Sequence, residues 1–113
     1  MTIIEEELPG DITRVILDGR LDVEGAAVVD VKMNLIAGRN AVIIDLQGVS
    51  YVASIGLRSL VIPARTIKSH GGRVVLFGPN AMVEKVLKTS GIDTVVPVHH
   101  ELDSALAALK EPA

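Results

Sequence analysis

Cysteine and tryptophan are missing from this chain of 113 residues, and tyrosine and phenylalanine occur once each, as Tyr51 and Phe77. Without cysteine there is no disulfide, no thiolate nucleophile and no cysteine-based metal site. With so few aromatics in a chain that is 49 % apolar, the core has to be built from Val, Ile, Leu and Ala. A basic cluster and an aromatic platform are lacking too. Eleven Lys and Arg against 14 Asp and Glu leave a formal charge of −3, which argues against a nucleic-acid partner. No apolar run approaches the roughly 18 residues that span a bilayer. The acidic opening "MTIIEEELPG" is unlike a signal peptide. There is no G-x-G-x-x-G, no Walker A loop and no G-x-S-x-G elbow around a serine. The expectation is a soluble, cytoplasmic protein, a single domain over residues 1–113, with no membrane partner, no metal and no cofactor.

What is present alternates between strand and helix patterns. "TIIEEEL" and "ITRVILDG" flank Pro9-Gly10-Asp11, which reads as a hairpin. "LDVEGAAVVDVKMNLIAGRN" reads as a helix capped by Asp22 and closed by Gly38. "AVIIDL" is a continuous apolar run suited to a central strand covered on both faces. A helix beginning at Ser54 carries Leu57, Leu60, Val61, Ala64 and Ile67 on one stripe, with Pro63 expected to kink it. "RVVLFG" is a second buried strand. Asn80 caps a helix bearing Met82, Val83, Val86 and Leu87 that stops at Gly91. "TVVPV" reads as a short edge strand, and the last helix carries Leu102, Ala105, Leu106 and Leu109. The order β-β-α-β-α-β-α-β-α predicts an α/β fold: a mixed, mostly parallel sheet of four to five strands with helices packed on it.

Ser54 stands where strand gives way to helix, the end of an α/β sheet where functional groups gather. Two readings of it are open. As an N-cap it would accept a bond from a first-turn amide, contributing about 1 kcal/mol. As a phosphorylation site it would hold a phosphate against free amides and the positive end of the helix dipole. Gly56 would then allow close approach, and Arg58, one turn on, could reach the phosphate. The histidines His70, His99 and His100 fall in loops or at helix ends, a poor arrangement for a metal or a catalytic triad.

Several stretches together resemble the STAS domain, the anti-sigma factor antagonist family. "VIIDLQGVSYVASIGLRSL" is similar to the family's central strand running into D-S-x-G-L, with Ser54, Gly56 and Leu57 at the matching positions. "DGRLD" at 18–22 resembles the family's G-x-L-D, and "HGGRVVLFGPNAMVEKVLKTSGI" resembles its second half. The family's Asp before the serine is Ala53 here, followed by Ile55. The resemblance implies a partner-switching antagonist that is a substrate rather than an enzyme. Unphosphorylated, it would bind an anti-sigma factor serine kinase. Phosphorylation of Ser54 would release it, and a serine phosphatase would reset it. The implied partner-binding surface gathers Ser50, Tyr51, Val52 and Ala53 from the strand end. Gly56, Leu57 and Arg58 would join it from the helix, and Asp22 from the neighbouring junction. The alternative is a non-switching STAS scaffold or regulatory module in a larger signalling or transport assembly.

Overall fold

The computed structural model describes residues 1–110. Five strands form one sheet in the order β1-β2-β3-β4-β5: β1 Thr2–Leu8, β2 Ile12–Leu21, β3 Ala41–Val52, β4 Arg73–Phe77 and β5 Val98–His99. β1 and β2 pair antiparallel, and every later neighbour pairs parallel. The mixed, mostly parallel sheet is therefore the one expected, with β3 in the middle. Its hairpin turns through Gly10 (φ 90°) and Asp11 (φ 58°).

Because the strands are laid down in sequence order, right-handed crossovers carry the connecting helices to the same face. These are α1 Val23–Ile36, α2 Ser54–Ser69 and α3 Ala81–Ser90. They cover a core built from Leu17, Val29, Ile44, Leu60, Leu76 and Leu87, all at most 2 % exposed or fully buried. The last helix, α4 Leu102–Lys110, closes the other face over Ile43, Val75 and Phe77 through Ala105 and Leu109. The run Val42, Ile43, Ile44 is buried because β3 has helices on both sides.

Three expectations are corrected. Residues 94–97 are not strand. A 3-10 turn, Ile92–Thr94, follows Gly91 in the left-handed conformation, and the Val95 and Val96 amides both donate back to the Ile92 carbonyl. Only Val98 and His99 pair with β4. The first helix stops at Ile36, before Gly38, and its cap residue is Ala37. Pro63 lies buried inside α2, where the sequence places it, and the helix runs on to Ser69. Met82, assigned to the apolar stripe of α3, is 57 % exposed, since only Val83 and Leu87 of that helix are fully buried.

Candidate functional site at the paired helix starts

β2 and β3 run parallel with Leu21 beside Val52, so the helices that follow them start side by side at the carboxyl edge of the sheet. The two starts are built differently. In α1 the Asp22 carboxylate accepts a 3.0 Å bond from the Gly25 amide, as expected for a cap. That bond, with help from Arg20, holds the Asp22 carboxyl below its ordinary range. In α2 the cap position is Ala53, extended at φ −91°, ψ 167°, with no side-chain bond. Its amide is tied to the Leu21 carbonyl at 3.0 Å. The first intrahelical bond runs from the Leu57 amide to the Ala53 carbonyl at 3.1 Å. The amides of Ser54, Ile55 and Gly56 precede that bond and have no partner within the helix.

Ser54 is therefore not the N-cap. It is the first helical residue, it is exposed, and among the described residues its hydroxyl makes no hydrogen bond. A helix start with no cap and a free hydroxyl in its first turn is chemically fit to receive a phosphate, because unpartnered amides and the helix dipole both favour an anion there.

Around it, Tyr51 is 39 % exposed and carries the Arg20 guanidinium over its ring at 4.4 Å. Arg20 also reaches Asp22 at 3.5 Å, so Asp22 is occupied with capping and ion pairing. Ser50 is exposed, with its hydroxyl donating to the Gly19 carbonyl at 3.4 Å. Ala53 and Leu57 are half-buried, and Arg58 is exposed. Two residues expected on the docking surface lie beneath it. Val52 is 6 % exposed and packs in the core. Gly56 is buried, and a Cβ there would stand 2.4 Å from the Leu21 carbonyl oxygen. Gly56 is thus glycine so that α2 can approach β2, not so that a partner can approach α2.

Sequence reasoning missed Ile55 and Ile62, which are 42 % and 55 % exposed and flank Arg58 along the outer face of α2. Their signal was legible: both fall off the buried stripe. Asp30 of α1 lines the same shallow groove. The histidines take no part. His100 bonds Glu84 at 2.8 Å and His99 meets Ser104 at 3.2 Å. Among the described residues no group of three or more His, Asp and Glu side chains is placed to hold a metal, and no helix is long and apolar enough to cross a membrane.

Comparison with known proteins agrees with this geometry. The STAS domain matches residues 4–105, and the chain belongs to that family. BtrV of Bordetella bronchiseptica, described as a candidate anti-sigma factor antagonist, is 32 % identical over 91 residues, 80 % of this chain and 73 % of that one. An anti-sigma factor antagonist from Mycobacterium paratuberculosis superposes with a TM-score of 0.83 at 25 % identity, covering 97 % of this chain and 94 % of the other. SpoIIAA, the Bacillus cell fate determinant in its phosphorylated form, gives 0.73 at 18 % identity over 96 % of this chain and all of the other. The fold is shared more widely. A sulfate transporter family protein from Wolinella succinogenes gives 0.78 at 17 % identity, with coverages of 93 % and 89 %.

Proposed function

We propose that this chain is an anti-sigma factor antagonist that works by partner switching. Unphosphorylated, it binds an anti-sigma factor that is itself a serine kinase, and so frees a sigma factor. The kinase then modifies Ser54, the complex separates, and a serine phosphatase restores the binding form. The protein is the substrate in this cycle, not the catalyst, and the cycle runs in the cytoplasm. The observation that carries the reading is Ser54 itself: an exposed, unbonded hydroxyl at the uncapped start of α2. It sits amid the exposed apolar groups of Tyr51, Ile55 and Ile62. A patch of that kind docks by apolar burial, and a phosphate adding nearly two negative charges inside it makes docking costly.

The test is incubation with candidate serine kinases and ATP, with the phosphate mapped by mass spectrometry. Ser54→Ala should stay unmodified and bind constitutively. Its fold should lose well under the ~1 kcal/mol of a lost cap, because the serine makes no cap bond. Ser54→Asp should bind weakly. Modification at Ser50 or Ser59 but never at Ser54, or full binding by Ser54→Asp, overturns the switch. It would leave the second reading, a non-switching STAS module of a signalling or transport assembly, which is supported by the Ala53 departure and by the transporter-family fold likeness.

A further inference from the structure

At the opposite end of the sheet, β4 lacks a strand neighbour along part of one edge, since β5 pairs only with Leu76 and Phe77. Alternate residues of a strand direct their backbone groups to opposite neighbours. The Arg73 amide donates to Asn40 on the β3 side, at 2.7 Å. The Leu76 and Gly78 amides donate the other way, to the Pro97 and His99 carbonyls, both at 2.9 Å. Val74 shares the parity of Leu76 and turns its N–H and C=O away from β3. A longer β5 would meet them with the amide of residue 97 and the carbonyl of residue 95. Residue 97 is a proline and has no N–H to give. The Val95 carbonyl accepts the Lys68 ammonium at 2.9 Å instead. The Val95 and Val96 amides are spent on Ile92. Val74, paired with Val42 of β3, is thus left without a partner on its β5 side among the described residues, and at 3 % exposure it forms part of the floor of a groove of about 570 Å³.

Two cations, Lys68 and Arg73, stand in the walls of that groove. They line it together with His99, Gly71, Gly72 and Pro97, and among the described residues no acidic side chain does. Lys68 and Arg73 touch only carbonyl oxygens, Arg73 reaching Ala108 at 3.5 Å, and neither is ion-paired among the described residues. Cations without an ion pair, around a backbone donor–acceptor pair left unpaired at the groove floor, are complementary to one kind of occupant. We propose that this groove docks an extended acidic peptide segment of a partner protein, taken up as a short added strand against Val74. Main-chain bonds would supply the register, and carboxylates facing Lys68 and Arg73 would supply selectivity. The site is distinct from the Ser54 surface: Arg73 pairs with Ala41 at the start of β3, whereas Ser54 follows Val52 at its end.

Two synthetic peptides test this on the ¹⁵N-labelled full chain, an alternating Glu-Val-Glu-Val-Glu and its Lys-Val-Lys-Val-Lys counterpart. The acidic peptide should shift the amide resonances of Gly72, Arg73 and Val74, and should slow hydrogen exchange at Val74. The basic one should do neither. The double variant Lys68→Glu with Arg73→Glu reverses one exposed and one half-buried charge, and should weaken the acidic peptide at least about tenfold. Ser54→Asp should leave the peptide affinity unchanged, which separates this site from the switch. Equal binding of the two peptides, shifts centred elsewhere, or no shift at Val74 with about 1 mM acidic peptide would overturn the proposal.

Discussion

Asp45 interrupts the apolar run of β3, and it is only 1 % exposed. It is tolerated because every demand of its carboxylate is met. Arg14 donates to one oxygen through Nε at 3.1 Å and Nη2 at 2.6 Å, and the Gln47 amide donates to the other at 2.9 Å. Arg14 in turn lies 5.9 Å from the Phe77 ring centroid and 3.8 Å from Glu6. α4 packs on the β3–β4 side of this sheet face. The Arg14–Asp45 pair links β2 to β3 on that face. Removing one member of a buried pair strands the other, at a cost of about 3–5 kcal/mol, and Arg14 is only 19 % exposed. Asp45→Ala should therefore lower the unfolding free energy by roughly 3 kcal/mol, near the bottom of that range because Glu6 offers Arg14 a second carboxylate. Urea unfolding measures it. A midpoint shift worth under about 1 kcal/mol would mean that the pair contributes little beyond an exposed one.

Among the elements, α2 stands out as the one whose beginning is unfinished. Ala53 occupies the cap position, with the backbone already in the extended conformation a capping side chain requires. Ala53→Asp should therefore stabilise the fold by about 1 kcal/mol, read as a raised urea midpoint at unchanged slope. An unchanged midpoint would show that the α2 amides are already satisfied in solution. The sequence carried the existence of α2 clearly, through the spacing of Leu57, Leu60, Ala64 and Ile67. It did not carry the one-residue distinction between cap and first turn. That depends on the Leu21 carbonyl holding the Ala53 amide, a contact between residues far apart in the chain. The burial of Gly56 is hidden for the same reason, since the atom that excludes a side chain there belongs to β2. β3 was read as ending near Leu46 because the apolar run stops there. Its continuation to Val52 rests on pairing with Gly19, Arg20 and Leu21 across two register shifts, at each of which β3 carries one extra residue. The opposite error befell residues 94–97, whose β-branched run promised a strand. Local bonding back to Ile92 prevailed over that propensity. Strands and helices with strong periodicity were thus legible, and features set by cross-chain carbonyls were not.

For the molecule as a whole, the question is whether a phosphate on Ser54 would act by changing shape or by changing charge. The chain carries a net charge of −3 over all its residues, so a phosphate worth about −1.5 to −2 is a large addition, concentrated at one edge. Yet nothing at that edge has to move to receive it. The serine is already helical and exposed, the amides of residues 54–56 are already unpartnered within the helix, and Ala53 brings no carboxylate of its own to repel the newcomer. Beneath them, Val52, Leu21 and Gly56 are packed without slack, and close-packed interiors resist continuous deformation. The phosphorylated protein should therefore keep its fold and lose its partner through charge in the docking patch. ¹H–¹⁵N spectra of the chain before and after modification check this. Shifts should be confined to residues 20–23 and 50–58, with the amides of β4, β5 and α4 unmoved. The residual affinity for the kinase should recover in part as salt is raised, since screening weakens exposed charge repulsion. Widespread shifts reaching β4 and α4 would instead identify a conformational switch, in which the packing under α2 rearranges to accommodate the phosphate.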